Sequence, residues 1–427
     1  MKIMDIERYN EWWLTGKVRR DLVKPFKRYA FPRLYEQSRR RQITLLTGLR
    51  RVGKTTLLYQ LIDELLKEVE PDNILYFTFD EERYDVKEVL EAYEKRVLRR
   101  SFEECGKLYI FLDEVQRAKD WYSAVKIFYD LYPNIKFFLS GSASLPLFRK
   151  ALEYLAGRFF EVQLKPLSFK EFLDLKGFEI KGDELELYGR KVLPLFSDYL
   201  RKAGFPEIVN WEEDEEIREY VKNSVVARVI LRDIPIEFGV RDFELMESML
   251  RLIFSNPGLI FNLNSISRSL GRSRLTISNY LNYLTYGLTV MMLSNYRKGA
   301  LTASRKFKKV YPAAPSLIFA YSKSFYEEEY FGKVLETYVV NALNAKYYFR
   351  KNGEEIDVIW ERNKEPLPIE VKESVEKIDI QKFARILKKL GFREGTIVTS
   401  EEFGEETLDG IKIYIKPAWC TEFTFGF

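Results

Sequence analysis

Histidine is absent from all 427 residues. That excludes a Ser–His–Asp triad, a Cys–His pair, a His-ligated zinc and a histidine base in a nuclease. Any acid–base work falls to Asp, Glu, Lys or Tyr. Cysteine is nearly absent as well. Cys105 and Cys420 are too few for a disulfide framework or a CxxC metal site, and both read as small buried apolar side chains. No uninterrupted apolar run approaches the roughly 20 residues that a membrane span needs. Residues 1–13 carry Asp5, Glu7 and Glu11 where a signal peptide would have an apolar stretch. The expectation is a cytoplasmic chain with no membrane partner.

What the chain has is apolar and aromatic substance, at 46% and 15% of residues. It can bury several cores, and its length predicts two to four domains. The net charge of +5 is too small to imply nucleic acid by itself, so the distribution of charge matters more. Few glutamines, abundant Lys, Glu and Arg, and many aromatics fit a thermophile.

Residues 42–47 (QITLLT) form a short strand pattern that runs into Gly48, Leu49, Arg50, Arg51, Val52, Gly53, Lys54 and Thr55. This matches GxxxxGK[ST] without a mismatch, and residues 56–68, opened by Thr56, follow with helical apolar spacing. Gly48 and Gly53 allow the backbone to turn successive N–H groups inward onto phosphate oxygens. The helix N-terminus adds the positive end of its dipole. Lys54 would reach the β- and γ-phosphates of ATP, and the Thr55 hydroxyl would ligate Mg²⁺.

A continuous apolar strand at 107–113 (KLYIFLD) ends in Asp113 and Glu114. The carboxyl ends of such strands are where ligands bind in open α/β sheets. Asp113 would hold Mg²⁺ through its water shell and Glu114 would polarise the attacking water; the plain alternative is a solvated acidic pair. Further strands are expected at 73–79, followed by Asp80, Glu81 and Glu82, at 135–139, and at 158–164. Ser140 or Ser142, after the 135–139 strand, is the candidate to sense a γ-phosphate.

The stretches LLTGLRRVGKTTLL, YIFLDEVQ, FFLSGSAS, LAGRF and LKPLSFKEF, between about residues 40 and 172, resemble the prokaryotic AAA-superfamily ATPases common in archaea. The resemblance implies an ATPase whose sheet places one strand between the two Walker-motif strands. It also makes Arg158 a candidate for reaching a γ-phosphate, in cis or from a neighbouring subunit of a homo-oligomer. A structural salt bridge is the competing role for that arginine.

Residues 169–227 read as helical, with an acidic insert at 212–219, and Arg232, Asp233, Ile234 and Pro235 predict a helix end. From Ser248 to Tyr326 there is no Asp or Glu, while Arg251, Arg268, Arg272, Arg274, Arg297, Lys298, Arg305, Lys306, Lys308, Lys309 and Lys323 fall in that window. A helix at 264–270, a turn at Gly271, a helix at 274–286 and extended segments at 288–296 and 307–311 follow the winged-helix plan. Ser273, Arg274, Thr276, Ser278 and Asn279 would open a recognition helix on DNA, with Arg297, Lys298 and 305–309 in the wing. Docking to a protein, or packing of this basic face on acidic residues such as 212–219, are the alternatives.

At the C-terminal end, a helix at 331–343 carries Glu336, a strand carries Asp357, and a hairpin later come Glu370, Val371 and Lys372. Period-two alternation puts Glu370 and Lys372 on one face. From about 331 to 415 the arrangement resembles the restriction-endonuclease-like superfamily, whose signature is an acid and then (D/E)xK. Carried over, Asp357 and Glu370 would ligate Mg²⁺ and Lys372 would orient or help deprotonate water, with Gln381 an accessory. A surface salt bridge, or a domain that binds without cutting, fits the same short motif.

The expected fold class is thus multidomain α/β: a P-loop ATPase with a parallel sheet at 1–170, a helical region at 171–240, a winged helix at 241–325, and a restriction-endonuclease-like domain at 326–427. The expected function is an ATPase using ATP and Mg²⁺ that acts on or is regulated by DNA and carries an Mg-dependent nuclease domain. The alternative is an ATP-dependent switch or protein-remodelling ATPase with an inactive C-terminal domain.

Overall fold

The computed structural model describes residues 6–80, 84–142, 153–180, 184–297, 304–362 and 365–425. Glu81, Glu82 and Lys298, and the side chains of Arg305 and Lys306, lie outside the described residues. The chain divides into two compact units, Met1–Lys165 and Pro166–Phe427. Among the described residues no helix is long and apolar enough to cross a membrane.

Five strands build the first unit: β1 (Ile43–Thr47), β2 (Ile74–Thr78), β3 (Leu108–Asp113), β4 (Ile135–Gly141) and β5 (Phe159–Gln163). They pair in parallel in the order β2-β3-β4-β1-β5. β4 therefore stands between the strands that end in the glycine loop and in Asp113, the order that the family resemblance implies. β1, β3 and β4 are buried along their whole length, which explains their unbroken apolar runs. Helix α1 (Lys54–Leu65) leaves the glycine loop, and α2 (Trp121–Leu131) packs Trp121 and Val125 into the core.

The outer edge of β2 is covered by the amino-terminal segment. Asn10 donates to the Tyr76 carbonyl at 2.8 Å and accepts from the Tyr76 N–H at 2.7 Å. The indoles of Trp12 and Trp13 both donate to the Ile74 carbonyl. Edge backbone that would otherwise be open to pairing is satisfied in this way.

In the second unit the chain is helical from Asp214 to Phe238, running through two wider-wound stretches, Tyr220–Val226 and Val229–Asp233. The helix end expected at residues 232–235 is not there. Pro235 directly follows the wider-wound stretch Val229–Asp233, and Gly239 at φ 63° ends the run instead. Helix α3 (Phe243–Ser255), β6 (Leu259–Phe261), helices α4 (Leu263–Ser269) and α5 (Arg274–Tyr286), β7 (Val290–Asn295) and β8 (Ser304–Pro312) follow. β8 pairs antiparallel with β6 on one side and β7 on the other.

Helix α6 (Glu328–Ala342) leads to the antiparallel run β9 (Tyr347–Lys351), β10 (Glu354–Arg362) and β11 (Glu365–Val371). Helix α7 (Ile380–Leu390) crosses to β12 (Glu394–Thr399), which runs parallel to β11, and β13 (Gly404–Leu408) and β14 (Ile411–Pro417) finish the sheet. β7 also pairs with β9, so one nine-stranded sheet continues across the boundary expected at 325. Residues 166–427 form one compact unit, and the ladder between β7 and β9 carries its sheet from the 241–325 stretch into the 326–427 stretch.

Candidate functional site

The glycine loop is shaped by close packing. A Cβ on Gly48 would lie 2.5 Å from the Leu164 carbonyl oxygen, so this position admits no side chain. Gly53 caps α1 at φ 99°, a conformation that side-chain-bearing residues avoid. Arg28, itself buried, donates to the Val52 carbonyl at 2.6 Å and to the Lys165 carbonyl at 2.9 Å, bracing the loop from beneath. Lys54 is 5% exposed and donates to the carbonyls of Gly48 and Leu49 at 3.0 and 3.2 Å. Thr55 is exposed at the mouth and Thr56 half-buried behind it, while Arg51 is exposed at φ 67°. Arg50 lies 3.5 Å from Asp80.

The two halves of the site meet where β1 and β3 end. Thr55 Oγ1 donates to Asp113 Oδ2 at 2.7 Å, and Tyr76 OH donates to the same oxygen at 2.9 Å. Ser140 Oγ donates to Asp113 Oδ1. Glu114, at φ 51°, receives Ser142 Oγ on Oε1 at 2.5 Å and Gln116 Nε2 on Oε2 at 2.6 Å. Lys54 Nζ is 3.5 Å from Ser142 Oγ. Ser140 therefore attaches to Asp113, whereas Ser142 bridges Lys54 and Glu114.

Burial pushes the Asp113 carboxyl up, and the charge of Glu114 adds to that. Burial would raise Glu114 too, but Lys54, the Ser142 hydroxyl and Arg50 outweigh it and hold Glu114 below the ordinary glutamate value. Glu114 is thus a carboxylate at neutral pH, the form a base requires. A loop that a Cβ would block, a lysine, and a threonine hydroxyl touching an aspartate make a donor set that fits a nucleotide phosphate with a hard cation.

Sequence reasoning missed Arg28, Tyr76 and Gln116, which belong to no motif. Arg158 is not brought to the loop. It precedes β5, and its carbonyl accepts from the Ile43 N–H at the amino-terminal end of β1, whereas the loop leaves the opposite end. Its guanidinium pairs with Asp130 through two hydrogen bonds of 2.9 and 3.2 Å. Of the roles open to it, the chain's own fold gives Arg158 the salt bridge with Asp130.

The C-terminal acids do converge. Lys372 Nζ lies 2.8 Å from Glu370 and 3.2 Å from Asp357, and Asp357 Oδ2 also accepts from the Val371 N–H at 3.1 Å. Asp357 Oδ1 accepts from Lys309 at 3.0 Å, and the same ammonium donates to Glu336 at 2.6 Å and pairs with Glu355 at 3.1 Å. Tyr311 OH donates to Glu336 at 2.5 Å. Burial and the charge of Asp357 push Glu370 up to about 8. Against their own burial, Asp357 is held well down by Lys309 and Lys372, and Lys309 is held well up by Glu336 and Asp357. Gln381 is exposed on the first turn of α7.

Among the described residues no group of three acid or cysteine side chains is placed to hold a metal ion. As the chain folds, the oxygens of Asp357 and Glu370, expected to take Mg²⁺, are engaged by Lys309, Lys372 and the Val371 N–H. Lys309, expected in an outward wing, points into this cluster instead.

On the basic segment, Arg268, Arg272, Arg274 and Arg297 are exposed, and Leu275 beside them is 71% exposed. Ser273 caps α5 by accepting from the Thr276 N–H, so its hydroxyl is engaged within the helix. Arg272 pairs with Asp242 at 2.9 Å, and Lys308 donates to Ser294 at 2.6 Å.

The family model for an AAA domain matches residues 40–173. Two domains of unknown function, DUF8612 and DUF4143, match residues 193–326 and 331–419. The uncharacterized protein MJ1544 of Methanocaldococcus jannaschii is 27% identical over 406 residues, covering 90% of this chain and 89% of its own length. An uncharacterized protein of Haemophilus influenzae is 28% identical over 274 residues, 62% of this chain, and the chain spans just under two thirds of that relative, 66%. Among solved structures, the Walker-type ATPase PABY2304 of Pyrococcus abyssi is similar at TM-score 0.43 and 18% identity, covering 71% of this chain and 97% of that one. The ORC1 protein of Aeropyrum pernix, solved in complex with DNA, is similar at TM-score 0.34 and 15% identity, covering 74% and 96%. By loop motif, strand order and family match, residues 40–173 are a P-loop ATPase-type domain.

Proposed function

We propose that the protein binds ATP with Mg²⁺ at the glycine loop and hydrolyses it, and that this activity is directed to DNA. The observation that carries the first part is the 2.7 Å contact between Thr55 and Asp113, with an ionised Glu114 one residue on. In this reading Lys54 and the loop N–H groups hold the phosphates, Thr55 and Asp113 hold the metal, and Glu114 accepts the proton of the attacking water. Bound Mg²⁺ supplies charge neutralisation for the phosphate oxygens. Ser142, on both Lys54 and Glu114, is the better candidate than Ser140 to report the γ-phosphate.

The DNA part is supported by a segment of residues 248–326 without one acid, exposed Arg268, Arg272, Arg274 and Arg297, and the order helix, strand, helix, helix, strand, strand, which is that of a winged helix. The order helix, three antiparallel strands, helix, parallel strand favours a restriction-endonuclease-like reading of residues 326–427. Lys309 among the acids favours a domain that binds without cutting, so an ATP-dependent switch is preferred to an active nuclease. ATP turnover with and without duplex, single-stranded and branched DNA tests the proposal. Stimulation by DNA that fades steeply with salt is expected; turnover indifferent to every DNA would remove the DNA part, and absence of turnover in Mg²⁺ under all conditions would remove the first.

A further inference from the structure

The acid cluster gathers side chains from five elements. Glu336 comes from α6, Glu355 and Asp357 from β10, Glu370 from β11, Lys372 from the residue after it, and Arg350 of β9 lies 3.6 Å from Glu355. A strand from outside the antiparallel run contributes the rest. β8 presents Lys309 and Tyr311, two residues apart and hence on one face, to the same carboxylate oxygen of Glu336.

Lys309 is no loop residue that swings in. Its backbone is registered opposite Leu293 of β7 and Ile260 of β6, so it sits in the middle strand of a ladder. Its side chain is 5% exposed. An ammonium has three hydrogens, and three carboxylates stand around this one at 2.6, 3.0 and 3.1 Å. Two of these contacts are hydrogen bonds, to Glu336 and Asp357, and the third is an ion pair with Glu355. A divalent ion ligated by these oxygens at its usual distance of about 2.0–2.6 Å would need the space that the nitrogen fills. It would also stand beside a buried charge of its own sign.

We infer that Lys309 is the resident cation of this cluster: its ammonium occupies the position between Glu336, Glu355 and Asp357, the folded chain takes up no divalent ion there, and removal of the ammonium opens a divalent-cation site on those three carboxylates. The inference concerns cation occupancy alone and stands or falls independently of ATP hydrolysis and DNA binding.

The test is Mn²⁺ binding by the full-length, nucleotide-free chain, followed by the loss of the free-ion resonance signal. Wild type and Asp357→Asn are expected to bind Mn²⁺ identically up to about 1 mM, a range in which open carboxylate sites bind hard cations. Lys309→Met is expected to gain one site, at least about tenfold tighter than any in wild type, that Lys309→Met/Asp357→Asn lacks. A wild-type site abolished by Asp357→Asn would overturn the inference, as would a Lys309→Met chain with native circular dichroism that gains no site. Should Lys309→Met fail to fold, amine acylation of the wild type read by mass spectrometry decides. Lys309 is expected to stay unlabelled with or without Mn²⁺, and labelling that rises with Mn²⁺ would show the metal displacing the ammonium.

Discussion

Replacing Glu114 by glutamine removes one negative charge and leaves the side-chain outline intact. Both carboxylate oxygens are already held, by Ser142 Oγ at 2.5 Å and Gln116 Nε2 at 2.6 Å. The Ser142 bond can persist to the amide oxygen. The Gln116 amide has to turn so that its oxygen faces the new N–H₂, which risks one neutral hydrogen bond, about 1 kcal/mol. The structural cost is therefore small, and nucleotide binding should survive. It should even tighten slightly, because a carboxylate beside Lys54 no longer opposes phosphate charge, and because Asp113 loses the neighbour that pushes its carboxyl up. The chemical cost is large by comparison. A positioned base contributes about 10²–10⁴-fold to a proton-transfer step, or roughly 2.7–5.4 kcal/mol at about 1.36 kcal/mol per factor of ten. Fluorescent-nucleotide titration paired with single-turnover hydrolysis separates the two. The expected result is binding within about threefold of wild type with hydrolysis down by the base contribution. Glu114→Gln turning over ATP at nearly the wild-type rate would refute the assignment. Loss of binding and turnover together would refute the claim that the surrounding hydrogen bonds tolerate the exchange.

Three further outcomes follow from the same geometry. Gly48→Ala places a methyl group 2.5 Å from the Leu164 oxygen, so a loss of about 1–3 kcal/mol in urea melts and of nucleotide binding is expected. Arg28→Ala strips charged donors from the carbonyls of Val52 and Lys165, and a loss of about 2–4 kcal/mol, with weaker nucleotide binding, should appear in the same experiment. Glu370, pushed from 4.5 up to about 8 by burial and by Asp357, keeps its proton in the folded chain where the unfolded chain has lost it. Folding takes up a proton in that window, so this contribution is fully present below 4.5 and lost as pH rises through 8. Glu370→Gln should flatten the fall in melting temperature between those pH values, by up to about 1.4 kcal/mol per pH unit.

The P-loop unit was legible because its chemistry is written in consecutive residues. Gly48 to Thr55 is an uninterrupted motif between a strand and a helix, and Asp113 with Glu114 closes an apolar run that only a buried parallel strand explains. Arg28 and Tyr76 were not legible. Arg28 precedes the Val52 it holds by 24 residues, and no local rule ties an arginine there to a loop carbonyl. For Arg158 the sequence left a salt bridge and a γ-phosphate contact both open. A motif fixes an arginine in the chain, but the strand direction decides which end of the sheet it reaches, and β5 starts at the end away from the loop. The helix predicted to stop near Pro235 runs on because its backbone widens before the proline, and that option depends on packing rather than on propensity.

Lys309 is the sharpest case, and strand alternation explains it. Lys308 and Lys309 are neighbours in a basic run, which invites one shared outward role. Period two forbids it: one of them must face away from the other. Which one turns inward cannot be taken from the pattern, because β8 carries an irregularity. Phe307 has φ 61°, and the pairing with β7 shifts between Leu293 and Asn295. Strict alternation would put Phe307 on the face of Lys309, yet Phe307 is 51% exposed and Lys309 4%. The kink at Phe307 resets the phase, so that Lys308 reaches Ser294 while Lys309 and Tyr311 reach Glu336. A phenylalanine side chain left in solvent is therefore the counterpart of a lysine buried among acids. If that coupling holds, Phe307→Gly, which accepts the same backbone angle without strain, should leave Lys309 protected from acylation, whereas Phe307→Val, which resists it, should expose the lysine to the reagent.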